Sequence, residues 1–100
     1  MPIRVLAAVL AGAWLAGCSF VPKDNRGLDQ ARTLYAQATA DAEVSGLAAA
    51  ELQRAGEALE RASRARDTLD DVAVVDHLAY MARQRVAIAR ESARLRAKSP

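Results

Sequence analysis

From Leu28 onward, apolar residues return at alternating intervals of three and four. Leu28, Ala31, Tyr35, Ala38 and Ala42 make one such stripe, and Leu52, Ala55, Leu59, Ala62 and Leu69 make a second, with Arg66 occupying the stripe's other place. A third runs through Val75, Leu78, Ala82, Val86, Ala89 and Ala93. That interval keeps one face of an α-helix apolar over several turns, so the pattern predicts three amphipathic helices. Ser45-Gly46 is the expected first break, with the glycine as a left-handed stop. Asp67-Thr68-Leu69-Asp70-Asp71 is the second, and Asp70 or Asp71 suits the N-cap of a third helix over Val72 to Lys98. Val74, Met81, Ile88 and Leu95 widen the third stripe beyond what one neighbour covers, which predicts contact with two helices.

Between Leu28 and Ser99 there is no proline, and alanine, leucine, arginine, glutamate and glutamine dominate. These are the strongest helix formers. The expected fold is all-α: a small antiparallel three-helix bundle, or a long helical hairpin plus a short helix. The third helix should be the longest, with its C-terminal end overhanging. Glu57–Arg61 and Glu60–Arg64 have the favourable acid-first spacing for ion pairs on the solvent face. Arg85 and Arg96 are expected to lay their stems over the apolar side and their heads in water. Alanine seams bury little surface per residue, so self-association or a partner would add stability.

The first eighteen residues follow a different pattern. Arg4 precedes an apolar run from Val5 to Gly17 that is too short for the ~20 residues of a membrane-spanning helix. A basic start, a short apolar segment and small residues before a processing point make up a secretory signal. Leu15-Ala16-Gly17-Cys18 closely resembles the lipobox of bacterial lipoproteins. The resemblance implies that the thiol of Cys18 carries diacylglycerol and that the signal peptidase recognises Leu15, Ala16 and Gly17 and cuts before Cys18. The freed amino group is then acylated. Ser19 in place of an aspartate favours, by the same resemblance, transport to the outer membrane over retention in the inner one, with the chain facing the periplasm. The organisation expected is signal peptide 1–17, lipidated cysteine and tether 18–27, and alanine-rich helical domain 28–98. Several acyl chains anchor stably without help from the polypeptide.

Leu52-Gln53-Arg54-Ala55-Gly56-Glu57-Ala58-Leu59 and the run from His77 to Glu91 are similar to an uncharacterised alanine-rich helical domain of envelope lipoproteins. That domain often precedes an OmpA-like peptidoglycan-binding domain. An OmpA-like segment is not recognised here, so its cell-wall-binding role is not expected of these residues. The family brings no catalytic residues.

The formal net charge of +2 falls further when the segment containing Arg4 is removed, which gives no basis for a nucleic-acid partner. Cys18 is the only cysteine, so no disulfide staples the domain. His77, the only histidine, has Asp76 beside it and Asp70 and Asp71 one to two turns away, short of a convergent metal site. No serine has a base and an orienting acid at recognisable spacing, and no glycine loop suits phosphate. No enzymatic activity, cofactor, metal or small-molecule substrate is expected.

Arg83, Arg90, Arg94 and Lys98 remain, aligned on one side of the third helix. The plain reading is a solvated face with acids early and bases late, as the helix dipole favours. The functional reading is a docking stripe for an anionic partner, since the guanidinium fork matches carboxylates and phosphates. The expectation is a non-catalytic structural or protein-interaction module of the envelope, held to the membrane through lipid on Cys18. Its partner is an envelope protein or a second copy. The alternatives are a lipid- or wall-binding module that uses the basic face, and a small helical periplasmic chaperone, for which the sequence offers no exposed apolar groove.

Overall fold

The computed structural model describes residues 25–68 and 71–99. Every element among them is helical: α1 (Arg26–Ala40), α2 (Ala42–Leu47), α3 (Ala49–Thr68) and α4 (Val72–Lys98). None of these helices is long and apolar enough to cross a membrane.

The packing clusters give the topology. Leu28 meets Ala62 and Ala79; Ala31 meets Ala58 and Ala82; Ala38 joins Leu52, Ala55, Val86 and Ala89. As α1 advances, its partners on α3 recede and those on α4 advance. The bundle therefore runs up, down, up, with α4 packed on both α1 and α3 as expected, though not through the residues that widened its apolar arc. Of the sixteen buried hydrophobic residues, eleven are alanine, and Leu28 is the largest that is fully enclosed. Small side chains let helix axes approach closely, and they remove little apolar area from water.

α1 begins at Arg26, two residues ahead of the expected start, because Asn25 caps it. The Asn25 side-chain oxygen accepts from the Leu28 N–H at 2.9 Å while its amide donates to Asp76 of α4 at 2.7 Å. The first break also differs from the sequence expectation. α1 stops at Ala40, and Asp41 caps α2 by accepting from the N–H groups of Glu43 (2.9 Å) and Val44 (3.4 Å). Ala42, expected on the first stripe, is exposed at the start of α2. Ser45 and Gly46 lie inside that helix. The Ser45 hydroxyl donates to the Thr39 carbonyl at 2.7 Å and stitches the corner, and Gly46 does not take a left-handed conformation.

Gly56 serves close approach. A Cβ there would stand 2.7 Å from the Tyr35 hydroxyl oxygen and 3.1 Å from Cζ. The bounds of α4 are as expected, with Asp71 as the cap accepting from Ala73 and Val74, whereas Asp67 and Thr68, expected in the second break, are the last residues of α3. Leu69 and Asp70 lie outside the described residues, as does Cys18 with the rest of 1–24.

Candidate interaction surfaces

The basic face of α4 is not uniform. Arg83 is half-buried, and its guanidinium donates to the Gly27 carbonyl at 2.9 Å and lies 5.8 Å from the centroid of the Tyr80 ring. It thus fastens the first turn of α1 to α4, which Gly27 permits: a Cβ there would stand 2.8 Å from an Arg83 nitrogen. Arg94 is exposed and pairs with Glu91 at 3.0 Å. Arg90 is half-buried, and Lys98 is exposed on the last residue of α4. The four side chains share a side of the helix but not a role. Leu15, Ala16, Gly17 and Cys18 lie outside the described residues.

Arg96 does more than reach water. It donates to the Leu47 carbonyl at 2.7 Å and pairs with Glu51 at 2.6 Å. The C-terminal end of α4 is therefore latched to the corner between α2 and α3 instead of overhanging. Leu47 is the last residue of α2, so its carbonyl is among those a helix end leaves unpaired. The Arg96 guanidinium, by its hydrogen bond first, holds the Glu51 carboxyl below the usual carboxylate range, and Glu51 in turn raises Arg96. Arg85, expected to share this placement, is exposed. The ion pairs that close among the described residues are Asp29–Arg32, Arg66–Asp67, Glu91–Arg94 and Glu51–Arg96, and not the expected Glu57–Arg61 and Glu60–Arg64. Exposed pairs gain little in high dielectric against the entropy of two long side chains.

His77 is exposed, and its neighbour Asp76 is engaged by Asn25. No group of three metal-ligating side chains gathers among the described residues. Buried polar side chains are likewise absent from them.

The feature that sequence reasoning misplaced is an apolar column. Val74, Met81, Ile88 and Leu95 were expected to pack on a second helix; they are 37%, 40%, 48% and 57% exposed. The residues directly after the first three, Val75, Ala82 and Ala89, are buried. One residue is about 100° of helix, so the column stands a quarter-turn round from the seam that the bundle uses. Ala79, Ala82, Val86, Ala89 and Ala93 already pack against α1 and α3, which leaves the larger side chains outside.

No curated protein and no solved structure matches the chain. A family model described as a domain of unknown function, DUF4398, matches residues 26–99, nearly the span of the four helices. The chain belongs to this DUF4398 family.

Proposed function

We propose that this chain is a lipid-anchored outer-membrane lipoprotein, facing the periplasm, whose helical domain is a non-catalytic interaction module of the envelope. The observation that carries the interaction role is the apolar column on α4. A domain whose buried residues are mostly alanine leaves four larger apolar side chains partly exposed along one helix. Single exposed apolar residues are ordinary, and four aligned on one face of a helix offer a surface for a partner.

The anchor reading rests on Leu15-Ala16-Gly17-Cys18. Seven residues, Ser19 to Asn25, separate Cys18 from α1, a span of at most about 25 Å when extended. Asn25 meets α4 at Asp76, whereas Arg96 meets the α2–α3 corner, about 30 Å further along α4. The basic end of α4 therefore lies away from the anchored end of the bundle, which supports a partner beyond the protein's own membrane.

Metabolic labelling with palmitate and membrane fractionation test the anchor. Wild type should take up label and fractionate with the outer membrane, and Cys18→Ala should stay unlabelled as precursor in the inner membrane. A Cys18→Ala chain that matures and reaches the outer membrane overturns the reading.

A further inference from the structure

The apolar column has a charged rim. Arg54 and Arg61, seven residues apart on α3, are exposed. Two residues beyond each, Gly56 lies under Tyr35 and Ser63 accepts from Arg32 at 3.3 Å, so 56 and 63 mark the side of α3 that faces α1. A two-residue step is about 200° of helix, which puts Arg54 and Arg61 on the edge away from α1. Ala58 and Ala65, four residues after each arginine, are buried, and Ala58 packs with Ala82 of α4. The two arginines therefore border the outer side of the α3–α4 contact.

On α4, Arg85 is exposed between Met81 and Ile88. It stands on the same side of the column as Arg96, whose guanidinium reaches α3 at Glu51. The outer face of α3 and α4 thus carries an apolar column with three guanidinium groups along one edge, and Glu57 is exposed between Arg54 and Arg61 on α3. None of the three closes an ion pair among the described residues. The opposite edge of the column carries His77, Gln84 and Glu91, and Glu91 is already paired with Arg94.

We propose that this face docks one amphipathic helix of a partner protein, lined along one edge with carboxylates. It rests on the interaction-module reading and supplies the partner's chemistry. The seven-residue interval drifts about 20° per step round a straight helix, so the column follows the shallow left-handed path along which two helices stay in contact. Its length from Val74 to Leu95, about 31 Å, accommodates roughly 21 residues of a partner helix. The apolar column supplies burial, and the rim fixes orientation by accepting carboxylates on one side only.

The charge pattern disfavours a second copy as the occupant. In a two-fold antiparallel pairing each edge meets its own counterpart, so the arginine rims of the two copies would face each other. In a parallel pairing the rim would meet the edge whose one carboxylate, Glu91, is already engaged.

The test uses the full chain in phosphatidylcholine vesicles and a fluorescent 21-residue helical peptide with a leucine seam and glutamates along one flank. A twin peptide carries lysines in place of the glutamates. Fluorescence anisotropy should show the glutamate peptide binding at least tenfold more tightly than the lysine twin. Arg54→Glu combined with Arg61→Glu should invert that preference, and Ile88→Glu should abolish binding of both. All three substituted residues are exposed, so helical circular dichroism and the thermal midpoint should be unchanged.

Equal binding of the two peptides, or a charge-reversed chain that still prefers glutamate, overturns the proposal. So does a peptide-free dimer in sedimentation that Ile88→Glu dissolves, which assigns the face to a second copy. Rim-dependent binding of added phosphatidylglycerol vesicles overturns it in favour of lipid. The peptide assay is independent of how Cys18 is processed, so its failure is distinct from failure of the anchor reading.

Discussion

Gly56→Ala sets two effects of opposite sign against each other. In a helix interior, alanine is favoured over glycine by about 1 kcal/mol, because glycine loses more backbone freedom on folding. Here the new methyl would stand 2.7 Å from the Tyr35 hydroxyl oxygen, 3.1 Å from Cζ and 3.3 Å from Cε1. A hydroxyl at the tip of a side chain gives way readily, but the ring carbons are held because Tyr35 packs against the cluster of Ala38, Leu52, Ala55 and Val86. Displacing a packed ring costs about 1–3 kcal/mol. Net destabilisation of about 1 kcal/mol follows, a fall of about 4–8 °C in the thermal midpoint for a domain of this size. Thermal denaturation followed by circular dichroism measures it. In a Tyr35→Leu background the obstruction is gone, and Gly56→Ala should raise the midpoint. The change of sign between backgrounds is diagnostic, because propensity alone acts equally in both. A Gly56→Ala variant that is stabilised to the same extent in both backgrounds would refute the close-approach argument.

Arg83→Met keeps the apolar stem but removes the bond to the Gly27 carbonyl. Charged hydrogen bonds contribute about 1.5–3 kcal/mol, and partial exposure puts this one at the lower end. Hydrogen exchange should quicken first in the opening turn of α1. The pH dependence follows from Glu51, whose carboxyl is held below its ordinary range by Arg96. Its contribution is present above that range and is lost as pH falls through the depressed value, so Glu51→Gln should flatten the acid limb of the stability profile measured in urea. Asp41→Ala removes the cap of α2 and should cost about 1 kcal/mol in the same assay.

The three long helices were legible because their signal is local and repeated: period, propensity and the Asp71 cap all agree from Val72 to Lys98. The first corner was misread for a physical reason. Alanine satisfies the stripe whether or not the helix continues, so Ala38 and Ala42 disguised the break at Asp41, while Gly46 looked like a stop although it lies inside α2 with open space where a Cβ would be. The signal that identifies the true corner is Asp41 itself, an acid able to accept from the next two free N–H groups. The Arg96 latch was illegible, since its acceptor is a carbonyl released by a helix end 49 residues away. Arg83 and Arg90 looked solvated on a helical projection, yet both are half-buried because α1 packs closely against that side of α4.

The apolar column shows the same limit from the other direction. Period alone gave α4 one broad apolar arc, and it could not say which part the bundle would use. Size decides. Helices that meet through alanines lie close together, and the seam through Val75, Ala82, Val86 and Ala89 fills the available space. Met81, Ile88 and Leu95 cannot enter it without forcing the axes apart, so they stay on the next face, where the arginines of α3 border them. On α4 the seam is mostly alanine, with Val75 and Val86, while Met81, Ile88 and Leu95 stay largely outside it. Under the proposed docking, those larger side chains would contribute their remaining burial on contact with the partner helix. Met81→Ala together with Ile88→Ala should leave the thermal midpoint of the free domain nearly unchanged while weakening peptide binding at least tenfold. A large loss of stability in the free domain would instead place these side chains inside the fold.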